Sequence, residues 1–190
     1  MQKAVLRKQY LAKRRQCSLE VVKDGSERIC QRYFESFKPE APLTVHVFLP
    51  ILKNCEINTW LIIRKLWQDF PEVRVVVPVT NFETEELDHY LLTPQTEVQE
   101  SSWGIPEPVN ATPVAETEMD MVLLPLIAFD LQGHRVGYGK GYYDRFLNRC
   151  RPDVVKIGLS LFPPVDLISD VHEADIPLNY CITPEEQYRF

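Results

Sequence analysis

Glycine, cysteine and long hydrophobic runs are all scarce in this sequence, and each scarcity excludes a class of protein. Seven glycines among 190 residues exclude a collagen-like chain. The five cysteines are odd in number, widely spaced and without a CxxC pattern, which argues against a disulfide framework or a zinc knuckle. No uncharged apolar run approaches the ~18 residues of a membrane-spanning helix.

Histidines are also few, and what remains is an ordinary globular composition. The four histidines do not cluster at the spacing of metal ligands, so we assign none of them a metal or catalytic role. Hydrophobic residues make up 45% of the 190 residues, which is enough for one sizeable core, so we expect a single domain over residues 1–190. Unpaired cysteines and the lack of an apolar export signal predict a cytoplasmic protein without a membrane partner.

Basic residues are concentrated at the start of the chain. Residues 1–16 hold six basic side chains and no acidic one, whereas the rest of the chain has 15 basic and 27 acidic residues. An acidic body argues against nucleic-acid binding, which needs a basic face to displace counterions from phosphates. The basic start has three interpretations, which the residues alone leave open: a solvated helix face, a transit peptide, and a binding surface for an anion.

Strand and helix patterns alternate along the chain. β-branched and apolar runs predict strands at 44–49, 73–79, 121–124, 154–159 and 180–183. Helices are predicted over 3–15, from Ser26 as N-cap to about 37, and over 57–69. Residues 81–118, rich in Glu, Thr and Pro, predict long loops with one short helix. The alternation predicts an α/β fold of three layers, with a mostly parallel central sheet and helices on both faces.

A glycine-rich segment is the strongest indication of chemistry. Four of the seven glycines lie within residues 133–141, and Gly137, Gly139 and Gly141 alternate around Lys140. Such glycines allow positive φ and a close approach of the backbone to a ligand. An amphipathic helix is predicted directly afterwards, and its N-terminal N–H groups and dipole attract phosphate. The spacing fits neither a P-loop nor the dinucleotide fingerprint, and a tight turn without a ligand is the structural alternative.

Asp144 lies in the first turn of that helix. A carboxylate there is favoured by the helix dipole, so it also has a purely structural interpretation. Beside a bound polyphosphate it would repel the phosphates unless a divalent cation such as Mg²⁺ lay between them. A second acidic ligand would come from elsewhere in the chain, and Glu173 and Asp175 are the candidates.

These residues together resemble the signature of one enzyme family. Residues 125–130 (PLIAFD) and 133–144 (GHRVGYGKGYYD) are similar to the signature of the 5-formyltetrahydrofolate cyclo-ligases, also called methenyltetrahydrofolate synthetases. Lys3 with Arg7, Glu56 with Thr59, and residues 103–108 (WGIPEP) match weaker family positions in the same order. The resemblance extends over nearly the whole chain, and because it includes Lys3 and Arg7, it favours the anion-binding interpretation of the basic start.

The resemblance implies an ATP-dependent ring closure of 5-formyltetrahydrofolate to 5,10-methenyltetrahydrofolate, with release of ADP and phosphate. It implies that Arg135 and Lys140 are the catalytic cations, which offset charge as the γ-phosphoryl group moves. It also implies Mg²⁺ as the cofactor, held by Asp144 and Asp175. The expected partners are small molecules, ATP and the folate, and the resemblance implies a monomer.

The resemblance also implies two sets of binding residues. The ATP-binding set is Lys3, Arg7, Arg135, Gly137, Gly139, Lys140, Gly141, Tyr142 and Tyr143. The folate-binding set is Leu49, Glu56, Trp103, Tyr138 and Tyr142, in which Glu56 accepts hydrogen bonds from the pterin and the aromatic residues stack on the rings.

The glycine-rich segment alone is consistent with two further functions. It indicates phosphate and not folate, so a phosphotransferase acting on another small anion would also carry it. A nucleotide- or folate-binding protein without catalysis is the second alternative. ATP consumption in the absence of folate would identify the first, and binding of MgATP without release of ADP would identify the second.

Overall fold

Within residues 1–39, 43–102 and 104–190, which the computed structural model describes, the chain forms four α-helices and eleven strands. The helices are α1 (Lys3–Arg15), α2 (Leu19–Ser36), α3 (Trp60–Asp69) and α4 (Tyr142–Arg149). The strands are β1 (Thr44–Val47), β2 (Arg74–Asn81), β3 (Glu86–Leu92), β4 (Val98–Glu100), β5 (Pro106–Pro108), β6 (Met121–Pro125), β7 (Ala128–Phe129), β8 (Arg135–Val136), β9 (Val155–Leu159), β10 (Tyr180–Ile182) and β11 (Gln187–Arg189). Among these helices, none has the length and apolar character needed to cross a membrane.

Seven strands form one central sheet in the order β11-β10-β9-β6-β1-β2-β3. The five inner strands are parallel, and the two edge strands, β11 and β3, are antiparallel to their neighbours. Strands buried on both faces carry nearly continuous apolar sequences, as β2 and β6 do. The mostly parallel sheet of the predicted α/β fold is therefore confirmed.

Helices cover both faces of this sheet. Successive residues of β6 alternate between two hydrophobic clusters, which shows that both of its faces are buried. Tyr33 of α2 and Ile63 of α3 belong to one cluster, and Phe146 and Leu147 of α4 belong to the other. α1 packs through Leu6 against the small hairpin of β7 and β8. Burial of one large apolar side chain contributes ~1.5–3 kcal/mol, so α4 is firmly anchored directly after the glycine-rich segment.

The predicted start of the second helix is wrong. α2 begins at Leu19, and its N-cap is Ser18, whose side chain accepts a hydrogen bond from the Val21 N–H. Ser26 is buried within the helix, where its hydroxyl donates to the Val22 carbonyl at 2.6 Å. Gly25 makes the sequence look interrupted there, but a side chain at this position would lie 2.8 Å from Leu161, so close packing accounts for the glycine.

The long loops predicted for residues 81–118 are also wrong in large part. This region contains β3, which pairs with β2 over seven residues, and the two-stranded sheet of β4 and β5. The short helix expected there is a 3₁₀ turn at Glu116–Glu118. β3 holds its place because Leu87 and His89 are buried on one side of it, although its sequence contains charged residues that disfavour strands.

Candidate active site

A cavity of about 540 Å³ lies at the carboxyl ends of the parallel strands β1 and β6. Phe48, directly after β1, and Pro125, the last residue of β6, line it. Side chains of α1, β2 and the residues preceding α4 complete its walls. Ligands bind at this edge in open α/β sheets, and the volume is typical of a small-molecule site. This cavity is the candidate active site.

The glycine-rich loop, Gly137–Gly141, connects β8 to α4 along the cavity. Gly139 has a φ of 93°, and Gly141, the N-cap of α4, has a φ of 71°. Both are in a left-handed conformation that other residues disfavour. Gly137 does not have a positive φ, so the expectation of positive φ holds at two of the three glycines. Apart from its chain neighbours, no described atom lies within 4 Å of where a Gly137 side chain would begin, so that side of the residue is open.

Two cations of α1 line the cavity next to this loop. Arg7 Nε donates to the Gly137 carbonyl at 2.8 Å, and its guanidinium lies 3.1 Å from where a side chain on Gly139 would begin. Lys3 forms an ion pair with Asp175. Residues four apart on a helix share a face, so the basic start of the chain contributes directly to the cavity.

Arg135 connects the glycine-rich loop to the C-terminal part of the chain. Its side chain is only 6% exposed, and Nη2 donates to Asp144 Oδ1 at 2.6 Å. Nη1 donates to the Ile176 carbonyl, and the Ile176 N–H donates to the same oxygen of Asp144 at 3.1 Å. This network joins Asp144 to Ile176, the residue directly after Asp175.

Both predicted metal-binding carboxylates line the cavity. Partial burial of Asp175 would raise its pKa, but hydrogen bonds from the His172 N–H and the Lys3 ammonium lower the pKa overall. Within the described parts of the chain, Asp144 Oδ2 and Asp175 Oδ1 accept no hydrogen bond. Each carboxylate therefore keeps one oxygen for a hard cation, and this donor set fits Mg²⁺ together with phosphate oxygens. Glu173 is exposed and does not line the cavity.

Lys140 is the cation of the glycine-rich loop. It is exposed, lines the cavity, and has no acidic partner among the residues that the structure describes. Together with Lys3, Arg7 and Arg135 it gives this part of the wall four cations against the two carboxylates of Asp144 and Asp175. The net positive charge suits a polyphosphate.

Glu56 is buried on the cavity wall, with 6% of its surface exposed. Its Oε2 accepts the Ile51 N–H at 2.8 Å, and its Oε1 accepts the hydroxyl of Tyr138. The segment that holds it turns sharply, because Cys55 adopts a left-handed conformation with a φ of 54°. Thr59, three residues later, is fully buried and donates to the Phe48 carbonyl at 2.6 Å, which fixes the segment after β1.

The other predicted folate- and ATP-binding side chains fall into three groups. Leu49, Tyr142 and Tyr143 line the cavity. Burial and the nearby Glu56 raise the pKa of Tyr143, so its hydroxyl stays protonated. Tyr138 lines the cavity and hydrogen-bonds Glu56 with its hydroxyl. Trp103 lies outside the described residues.

Part of the cavity wall comes from residues that the sequence did not predict. Pro78, Phe82 and Leu87, in β2, β3 and the turn between them, line it together with Ile105. The alternating burial of β3 is evident only in the structure, because its charged residues disfavour a strand in the sequence. Arg14, one of the six basic residues at the start of the chain, donates to the Tyr138 hydroxyl at 2.6 Å, a contact that the sequence did not predict.

The chain matches the model of the 5-formyltetrahydrofolate cyclo-ligase family over residues 1–183. It is 36% identical over 114 residues to the 5-formyltetrahydrofolate cyclo-ligase of Haemophilus influenzae, covering 55% of this chain and 57% of that protein. This alignment thus spans little more than half of the relative's length. With the Escherichia coli K12 protein of the same name, the identity is 31% over 160 residues, covering 77% of this chain and 81% of that protein.

The fold is also similar to a solved structure from end to end. An NMR structure of the 5,10-methenyltetrahydrofolate synthetase of Aquifex aeolicus matches with a TM-score of 0.81 and 28% sequence identity. The match covers 100% of this chain and 93% of the Aquifex chain. Because both the sequence pattern and the fold agree over nearly its full length, the chain belongs to the 5-formyltetrahydrofolate cyclo-ligase family.

Proposed function

We propose that this chain uses ATP to close a ring on 5-formyltetrahydrofolate, producing 5,10-methenyltetrahydrofolate, ADP and phosphate. One observation carries the proposal: a single cavity combines a cationic, glycine-rich loop with a buried and hydrogen-bonded carboxylate, Glu56. The loop suits a polyphosphate, and the carboxylate suits a ring with N–H donors such as the pterin. Membership of the family supports the same reaction.

The reaction has two steps. In the first, the formyl oxygen attacks the γ-phosphorus, the bond from that phosphorus to the bridging oxygen breaks, and ADP leaves. The formyl group on N5 is then an imidate-type phosphate, whose carbon is electrophilic. In the second step, the N10 lone pair adds to this carbon, N10 loses its proton, and the carbon–oxygen bond breaks. The original formyl oxygen leaves in the inorganic phosphate, and the carbon becomes the methenyl bridge.

Phosphoryl transfer depends mainly on positioning and charge neutralisation. Arg135 is fixed by Asp144 and the Ile176 carbonyl, so it presents its charge in one place. Lys140 is unpaired within the described residues and exposed, so it is free to follow the γ-phosphoryl group. Lys3 and Arg7 line the same cavity and would bind the remaining phosphates.

Asp144 and Asp175 would hold Mg²⁺ through the oxygens that accept no hydrogen bond from the described residues. When bound there, the cation supplies charge neutralisation between the carboxylates and the phosphates. The Asp144 and Asp175 side chains are already oriented by Arg135 and Lys3. Two carboxylates plus phosphate oxygens are a typical Mg²⁺ environment.

The test is a turnover assay with the chain, MgATP and 5-formyltetrahydrofolate. We expect near-ultraviolet absorbance of the methenyl product and release of ADP in equal amount, only when both substrates are present. Consumption of ATP without folate would instead indicate a phosphotransferase for another anion. Binding of both ligands without ADP release would indicate a binding protein. Either result would contradict the proposal.

A further inference from the structure

Three side chains from separate elements meet beside the cavity. They are Arg14 near the end of α1, Glu56 after β1, and Tyr138 in the glycine-rich loop. Arg14 Nη2 donates to the Tyr138 hydroxyl oxygen at 2.6 Å, and that hydroxyl donates to Glu56 Oε1. Arg14 and Glu56 approach each other only to 3.9 Å, which is beyond hydrogen-bond distance. Within the described part of the chain, the phenol is thus the hydrogen-bonded link between these two charges.

The link matters because both charges are buried. Arg14 and Glu56 are 9% and 6% exposed, respectively. When a buried charge loses its hydrogen-bond partner, water cannot take the partner's place, and the folded state is destabilised. Burial and the neighbouring Glu56 carboxylate raise the pKa of Tyr138 to about 12, so the phenol remains a donor at neutral pH. The Arg14 guanidinium also lies 5.6 Å from the centre of the Tyr138 ring.

The same tyrosine belongs to the loop that carries the phosphate-binding features. Gly137 and Gly139 flank it, and Arg7 holds the Gly137 carbonyl at 2.8 Å. The conformation of this loop therefore sets where the phenol lies, and the phenol in turn orients the Glu56 carboxylate.

We propose that Tyr138, supported by Arg14, is a positioning residue that couples the two substrate sites. Phosphates that order the glycine-rich loop fix the phenol on Glu56, and the carboxylate is then oriented for the N–H donors of the pterin. The inference rests on the proposed function and adds to it a route by which the nucleotide improves binding of the folate.

Glu56 keeps the capacity to accept hydrogen bonds from a ligand. A carboxylate has about four acceptor positions. Tyr138 uses one on Oε1, and the Ile51 N–H uses one on Oε2 at 2.8 Å. The second position on each oxygen is left for a pair of N–H donors. A carboxylate held at both oxygens loses less freedom when a ligand binds, so its orientation improves affinity.

The first experiment compares steady-state kinetics of the wild-type chain and Tyr138→Phe, which lacks only the hydroxyl. Because a hydrogen bond to a charged group is lost, we expect the KM for folate to rise about tenfold or more. kcat should change by less than about threefold, the pattern of lost ground-state binding. Because the coupling is reciprocal, the KM for ATP at saturating folate should rise by the lost coupling factor, about fivefold or more. Tyr180→Phe is the matched control, since Tyr180 of β10 does not line the cavity, and it should behave as wild type.

The second experiment measures the coupling directly. Calorimetry gives the Kd of 5-formyltetrahydrofolate with and without Mg²⁺ and a non-hydrolysable ATP analogue. In the wild-type chain we expect the analogue to lower this Kd about fivefold or more, and the folate to lower the Kd of the analogue by the same factor. In Tyr138→Phe the ratio should fall to about one. The ratio compares two folate Kd values of the same variant, with and without the analogue. A general loss of stability therefore does not by itself bring the ratio to one.

Arg14→Met tests the supporting residue. It keeps an apolar stem of similar length but removes the guanidinium. If Arg14 acts through the phenol, Arg14→Met and Tyr138→Phe should each raise the folate KM, and the double variant should exceed the larger single effect by less than about twofold. If the increase in folate KM of the double variant equalled the product of the two single increases, Arg14 would act independently of Tyr138, which would overturn its assignment.

The outcomes separate this inference from the proposed function. A wild-type chain that forms no methenyl product would contradict the proposed function. Wild-type turnover, together with a folded Tyr138→Phe variant that keeps the folate KM and the coupling ratio, would contradict only the role of Tyr138.

Discussion

The cationic side chains of the cavity differ in whether another group of the protein forms an ion pair or a hydrogen bond with them. Arg135 is bound to Asp144, Lys3 to Asp175, and Arg7 to the Gly137 carbonyl. A cation held in this way defines a fixed point for the ligand. Lys140 has no such partner within the described part of the chain, and an unpaired lysine with a flexible stem can follow a group that moves.

Lys140→Ala is expected to lower kcat by about 10²–10³, the cost of removing one charge-stabilising donor from a transition state. Its stability should change by no more than about 0.5 kcal/mol, because the side chain is exposed. Turnover and urea unfolding measure the two effects. Lys8→Ala, also exposed but outside the cavity, is the matched control. Full activity of Lys140→Ala would remove Lys140 from the mechanism.

Asp175→Asn should raise the Mg²⁺ concentration needed for half-maximal turnover by about tenfold or more, because the amide is a weaker ligand than the carboxylate. Glu173→Gln should leave this concentration unchanged, since Glu173 is exposed and outside the cavity. A Mg²⁺ titration of both variants decides between the two acids. If Glu173→Gln alone shifted the titration, the second metal ligand would be Glu173.

Gly139→Ala is expected to destabilise the chain by about 1–2 kcal/mol, the cost of a left-handed conformation for other residues. Its φ is 93°, and the added carbon would lie 3.1 Å from the Arg7 guanidinium. Gly137→Ala is the matched control for stability, because Gly137 has neither a positive φ nor a described atom within 4 Å of the added carbon. Equal unfolding midpoints in urea would show that the conformation of Gly139 is not constrained.

At the scale of elements, the inner strands were predictable and the edge of the sheet was not. β2 and β6 carry continuous apolar runs, which buried parallel strands require. β3 contains Glu86 and Asp88, and only its pairing with β2 and the burial of alternate residues make it a strand. The start of α2 was misjudged for a similar reason, since the close packing of Gly25 against Leu161 depends on tertiary structure.

The contact of α4 with the sheet contains an unusual pair of side chains. His46 of β1 and His89 of β3 are buried with ring centres 5.1 Å apart, and Phe146 of α4 covers both rings. Within the described residues, none of their four ring nitrogens has a hydrogen-bond partner. Burial lowers the pKa of both, that of His46 strongly and that of His89 to about 4.

The buried histidines His46 and His89 predict that the free energy of unfolding decreases as the pH falls from about 6.5 towards 4. Over that range the unfolded chain binds protons that the folded chain excludes, so the pKa of His89 alone implies a loss of about 3 kcal/mol by the lower limit. Nearby Glu116 and Asp88 oppose the lowered pKa of His89, and Arg149 adds to it. Urea unfolding at about pH 7 and about pH 5 measures the effect.

His89→Leu should reduce this pH dependence, and His172→Gln, which replaces an exposed histidine, should not. Leucine is close to imidazole in volume and removes the two unpartnered ring nitrogens of His89, so the variant should fold. Identical pH dependence in wild type and His89→Leu would mean that other groups cause the loss of stability.

At the scale of the whole molecule, the fold collects residues from distant parts of the chain into one cavity. The glycine-rich motif allowed its loop and the residues around it to be predicted, because those neighbours are local in sequence. The links from Arg135 to Ile176 and from Arg14 through Tyr138 to Glu56 join segments far apart in the chain. No periodicity or spacing predicts such links, since they exist only after the sheet has ordered its strands. The monomeric state and the cytoplasmic location remain predictions.

A crystal structure of this chain with Mg²⁺ and a non-hydrolysable ATP analogue tests the central claim most directly. We expect the triphosphate to contact the N–H groups of the glycine-rich loop and the ammonium of Lys140, with a cation between the phosphates and the carboxylates of Asp144 and Asp175. Nucleotide density at another place on the molecule, with this loop free of phosphate, would contradict the account.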